Sequence, residues 1–151
     1  MKKIVLKLSI LALVVCALSI PASAFAVENT RTTEIIYVEG LGEVEVTTIT
    51  KVQNSLVRSS QKSASTTKEF TYDGQVVATV TLKATFGYDG SSAWVVSATS
   101  SQNISSGWTY KNQSIDKSGN SATLTATLSK GIGVKTPVEI TMTCSPTGTI
   151  S

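Results

Sequence analysis

The residues best suited by type and spacing to hold another molecule are Trp108 and Tyr110, which follow Ser105-Ser106-Gly107 and stand two apart on a short segment. A spacing of two puts the indole and the phenol on one side of an extended strand. Flat apolar rings rimmed by hydroxyls suit stacking on a sugar or gripping a peptide. Large rings are mostly buried on average, so the competing role for Trp108 is to fold over the end of the domain and close it. Trp94, flanked by Val95 and Val96, is expected in the core.

Catalytic chemistry finds fewer candidates. The chain of 151 residues has no histidine, which removes the commonest general base, the Ser-His-Asp and Cys-His arrangements, and most zinc sites. Two-carboxylate chemistry needs no histidine, and Glu39, Glu43 and Glu45 are its candidates. Glu43 and Glu45 alternate outward on an expected strand, where charge serves a solvated edge. Asp73, Asp89 and Asp116 are expected in turns, bonding nearby backbone, without the ligand spacing of a calcium loop. No catalytic residue, metal ligand or cofactor is therefore assigned, and a carboxylate-based hydrolase or toxin stands as the one enzymatic alternative.

Threonine spacing offers another pattern: Thr79/Thr81, Thr123/Thr125/Thr127 and Thr141/Thr143 would form ladders on one wet face. Such arrays can order water or pack against another sheet, as ice binding or self-association would require, although threonine is also an ordinary outward strand residue. Asn103-Ile104-Ser105 and Asn112-Gln113-Ser114 match glycosylation sequons, which the bacterial look of the leader discounts.

That leader spans residues 1–26. Lys2, Lys3 and Lys7 precede an apolar run at 8–20, and small residues follow, with Ala22-Ser23-Ala24 and Ala24-Phe25-Ala26 both fitting a signal-peptidase site. The run falls short of the ~20 apolar residues that a membrane-spanning helix needs, so cleavage is expected rather than anchoring. Cys16 follows Val15, a poor neighbour for lipidation, and reads as an ordinary apolar cysteine. Export to the extracellular medium follows, with cell-surface association or a periplasm as alternatives.

Cleavage changes the chemistry of what remains. Three of the 13 Lys and Arg lie in the leader, leaving 10 against 10 Asp and Glu. The ten positive residues are scattered singly, and without a basic stripe no nucleic-acid partner is expected. No stable membrane insertion is expected either. Cys144 becomes the sole cysteine, so residues 27–151 must hold together by core burial, for which their length suffices.

The elements that would position any site are strands. In 75–86, Val76, Ala78, Val80, Leu82, Ala84 and Phe86 point one way, and Val77, Thr79, Thr81, Lys83 and Thr85 the other. That period of two demands a sheet with one wet face. Ala122, Leu124, Ala126 and Leu128 repeat the pattern, as do Val138, Ile140, Met142 and Cys144, which places the thiol on a buried face. Further strands are expected at 34–38, 43–52, 67–72, 93–99 and 108–115, while 53–65 stays open between loop, helix and strand. Turn signals at Asp73-Gly74, Asp89-Gly90, Ser118-Gly119-Asn120 and Gly131-Ile132-Gly133 join them. About seven or eight short strands without a long helix predict an all-β, antiparallel β-sandwich in a single domain over 27–151, a closed barrel being the alternative.

The runs Ala84-Thr85-Phe86-Gly87-Tyr88-Asp89-Gly90, Gly107-Trp108 and Ser118-Gly119-Asn120-Ser121-Ala122, with the ending Cys144-Ser145-Pro146-Thr147-Gly148-Thr149-Ile150-Ser151, resemble small secreted proteins of Gram-positive, Clostridia-type bacteria. The resemblance covers residues 70–151 and implies export and a β fold, with no activity attached. The expected function is non-enzymatic binding of a glycan, peptide or cell-envelope component through Trp108 and Tyr110. A self-associating structural protein is the alternative.

Overall fold

A computed structural model describes residues 26–54 and 60–151. The expected leader lies outside the described residues except for Ala26, which opens the first strand. Eight strands follow in chain order: β1 (Ala26–Val38), β2 (Gly42–Asn54), β3 (Gln61–Tyr72), β4 (Gln75–Tyr88), β5 (Ala93–Ile104), β6 (Trp108–Ser118), β7 (Ser121–Lys130) and β8 (Val134–Thr143). Each pairs antiparallel with its sequence neighbour, in a five-stranded sheet β1-β2-β3-β4-β5 and a three-stranded sheet β6-β7-β8. The protein is an all-β sandwich. Among the described residues there is no helix and neither sheet closes into a barrel.

The undecided stretch 53–65 belongs largely to strands. Its ends complete β2 and begin β3, and residues 55–59 fall outside the description. The β3–β4 hairpin turns at Asp73-Gly74, where both residues take positive φ, 51° and 71°. Two successive left-handed residues match the right-handed twist of the flanking strands.

Between the sheets lie Phe70, Val80, Leu82 and Phe86 from the larger one and Leu124, Leu128, Ile140 and Met142 from the smaller, all buried. Cys144 is fully buried with them, as its place in the alternation requires. Burying each large aliphatic or aromatic side chain contributes roughly 1.5–3 kcal/mol, which suffices to hold the sheets together without a disulfide.

Three β-bulges break the simple alternation. In β4, Phe70 opposes Ala78 but Thr71 opposes Val76, so Val77 has no partner. The alternation is thereby corrected at one end of the strand: Val77 is buried, at 6% exposure, and Val76 is turned out, at 51%. On the other side of β4, Ser105 carries the β4–β5 pairing one residue further, its backbone N–H donating to Val77 O at 2.9 Å and its Oγ to Val76 O at 3.1 Å. In β5 the extra residue is Val96, and the Val95 N–H donates to Gly119 O at 3.1 Å, tying the two sheets together. In β6 the break lies between Lys111 and Ser114, with Asn112 at φ 56°. Bulges re-aim side chains in this way because the added residue shifts the period of two.

Two further expectations are corrected. Asp116 lies within β6 opposite Thr123, not in a turn. The threonine ladders do not share one face either. Thr79 and Thr81 belong to the five-stranded sheet and the other five to the three-stranded one, whose outer faces look in opposite directions.

Candidate functional site

The rings singled out by spacing are not exposed. Trp108 retains 9% exposure and packs edge-on against Tyr72, with ring centroids 6.1 Å apart at 64°. The Lys130 ammonium sits 4.2 Å above the Tyr72 ring and 5.7 Å from that of Trp108, a cation–π contact that covers the pair. Tyr110, on the same side of β6, is half-buried, and its hydroxyl finds no hydrogen-bond partner among the described residues. Desolvation raises its pKa above the usual phenol value. Trp108 therefore takes the closing role, since an indole buried under a tyrosine and a lysine offers no free face to a ligand.

The remaining chemical candidates are dispersed. Glu39, Glu43 and Glu45 are exposed. Asp89 caps its own turn, its Oδ1 accepting from the backbone N–H groups of Ser91 and Ser92 at 2.9 and 2.7 Å, and these bonds hold its carboxyl below the ordinary value. Cys144 is raised by burial, partly offset by the Lys62 charge, and that lysine donates to Gly148 O at 2.7 Å. Among the described residues no group of three or more Cys, Asp or Glu is placed to hold a metal ion.

What the fold does assemble is the uncovered face of the five-stranded sheet. The smaller sheet packs on one side, where the even-numbered residues of β3 and β4 point, and the odd-numbered side is left uncovered among the described residues. There, residues far apart in sequence line up in rows across the strands. One row runs Asn29, Lys51, Ser65, Lys83, Thr99, a residue from each strand in turn. The row beside it runs Val27, Gln53, Ser63, Thr85, Ser97. All of these but Asn29 line an open groove of about 560 Å³ that crosses all five strands. Ser63, Ser65, Thr85, Ser97 and Thr99 bring hydroxyls to its floor, and Ser63 bonds to Thr85 at 2.9 Å, as Thr67 does to Thr81 at 2.8 Å further along the same face. Such cross-strand pairs fix the hydroxyl positions and leave lone pairs for a ligand.

Trp94 lies next along this face, paired with Gly87. The expectation that it is core is wrong: it is 43% exposed. The bulge at Val96 and the edge position of β5 leave its indole outside, lying over Gly87, where a side chain would occupy the same space. Its Val-Val neighbours conceal this in the sequence. The available signal is Gly87 itself, a glycine inside a strand, which marks a close approach from a neighbour.

The face is also divided by charge. Arg31, Lys51 and Lys83 stand on its groove half, each exposed. Glu43, Glu45 and Glu69 occupy the other half, and Lys51 and Glu69 are separated by four residues of strand, about 13 Å. Comparison of the chain with protein-family models, with curated proteins and with solved structures finds no match.

Proposed function

We propose that this chain is an exported, non-enzymatic binding module that holds an extended glycan across the uncovered face of its five-stranded sheet. The observation carrying this reading is the groove that crosses every strand of that sheet, with serine and threonine hydroxyls along its floor, Ser63 and Thr85 bonded to each other, and the half-exposed Trp94 beside it. An open groove suits a chain that enters and leaves at both ends. Serine and threonine hydroxyls can donate to and accept from sugar hydroxyls alike. An indole held flat by a glycine beneath it offers the apolar faces of a pyranose a stacking surface that is already ordered.

A glycan array probed with the protein tests this reading. Binding to a polysaccharide is expected, with Trp94→Ala weakening it at least about tenfold and Lys111→Gln, on the opposite sheet, leaving it unchanged. Capture of peptides with no glycan bound would sink the reading.

Self-association is a second reading, favoured by β1. Among the described residues this strand pairs only with β2, and it exposes Ile35 and Tyr37, the latter to 80%. An open edge with apolar side chains is a template for another strand. Sedimentation velocity across a hundredfold range of concentration, roughly the span needed to see a weak dimer, tests it, and a monomer throughout excludes it.

A further inference from the structure

We infer that the polymer on this face is acidic: a polysaccharide carrying carboxylates along its length, read by Lys51 and Lys83 with Arg31 beside them. The inference rests on the glycan reading above and adds the ligand's charge. Lys51 and Lys83 flank Ser65 in one row, with Lys51 on β2, Ser65 on β3 and Lys83 on β4. Two strand spacings separate the lysines, about 9.6 Å. Both point to the solvent side, and neither meets a carboxylate among the described residues.

This arrangement is not a by-product of a basic protein. Residues 27–151 carry as many acidic as basic side chains, 10 of each, yet the groove rows hold two lysines and no acid. The carboxylates of the same face lie beyond Arg31, Glu69 in the next row and Glu45 and Glu43 further along. A field positive at the groove and negative beyond it draws an anionic chain to the groove and sets where it stops.

Charge alone would suit a polyol phosphate equally. Trp94 separates the two, because its indole rewards a ring with flat apolar faces, which a pyranose has and a polyol phosphate lacks. The row of Gly87 and Trp94 lies four residues from that of Lys83, about 13 Å along the strands, so one extended polysaccharide can stack at the indole and present carboxylates to the lysines. Lysine is a flexible point charge and needs no fixed angle of approach. A polymer with a charge on every residue therefore binds in several registers.

The full chain is expressed in a bacterial host and the purified protein titrated calorimetrically with three probes: sodium polygalacturonate, the same polymer with its carboxyls reduced to alcohols, and poly(glycerol phosphate). Titrations are run at about 0.01 M and about 1 M salt, where charges are screened over about 30 and 3 Å. Polygalacturonate is expected to bind at low salt and at least about tenfold more weakly at high salt. The reduced polymer is expected to bind at least about tenfold more weakly than its acidic parent. Lys51→Gln/Lys83→Gln should lose about tenfold for polygalacturonate, while Lys111→Gln/Lys117→Gln, with the same change of net charge on the other sheet, should lose nothing. The salt series on the unaltered protein decides the matter even where a variant folds poorly. Equal binding of acidic and reduced polymers overturns the inference and leaves the glycan reading intact. Tighter binding of poly(glycerol phosphate), or a double variant at Lys51 and Lys83 that binds as well as the parent, overturns it too. An absence of all glycan binding on the array removes both.

Discussion

The indole of Trp94 lies over Gly87, its partner across the β4–β5 ladder, so closely that a β-carbon on the glycine would collide with the ring. Gly87 has no positive φ to excuse it from carrying a side chain. Glycine weakens a strand interior, and its presence here is explained by the ring above it.

Gly87→Ala follows as a direct test of that relationship. The backbone tolerates alanine, so the indole must move. Overpacking costs about 1–3 kcal/mol where neighbours are fixed, and the lower end is expected here because the ring is half-exposed and can swing outward. Urea unfolding gives the stability change, and a red shift of tryptophan emission reports the ring entering water. An unchanged spectrum would show that Trp94 does not rest on Gly87.

The aromatic cluster at Trp108 predicts the opposite balance of effects. Trp108→Ala removes a buried indole from under Tyr72 and Lys130 and should cost about 3–5 kcal/mol without touching the groove. Tyr110→Phe removes a buried hydroxyl that has no partner among the described residues, so it should be neutral or stabilise by up to about 1 kcal/mol. Denaturant midpoints check both. A Tyr110→Phe protein destabilised by more than about 1 kcal/mol would show that the hydroxyl is satisfied after all.

Stability should fall at both ends of the pH range for separate reasons. Burial raises Cys144 and Tyr110 above their ordinary values, 9.0 and 10.0, so the folded state holds these protons more tightly than the unfolded chain. Their contribution is full below those values and is lost as pH rises through the folded ones. Asp89 is held below 3.8 by the N–H groups of Ser91 and Ser92, so its contribution is present above that value and is lost as pH falls through the folded one. Thermal melts from pH 3 to 11, the range about which these groups titrate, should show Cys144→Ala flattening the alkaline arm and Asp89→Asn the acid arm. Unchanged arms would mean that these groups titrate alike in both states.

Much of the architecture is legible in the sequence because a sheet with one wet face enforces a period of two. Ala122 to Leu128 and Val138 to Cys144 are buried where alternation puts them. Val76 and Val77 are not, since a bulge adds one residue to a strand without leaving any trace in the hydrophobic pattern. The glycine and aspartate of the Asp73-Gly74 turn announce it by type, whereas Asp116 has the same chemistry and lies in a strand.

The candidate site divides along a similar line. Composition and alternation by themselves determine an all-β chain whose wet strand faces carry hydroxyls and scattered charges, and the absence of histidine is absolute. Which wet faces adjoin, and in what register, is set by pairing between residues well separated along the chain, such as Thr67 with Thr81, 14 positions apart, and Ser63 with Thr85, 22 apart. Only that register puts Lys51 beside Ser65 and Ser65 beside Lys83, and only the bulge at Val96 turns Trp94 outward, onto Gly87, while Trp108 goes in. A period of two reports which side of a strand a residue occupies. It carries no information about the strand that lies next to it, and the groove exists only between strands.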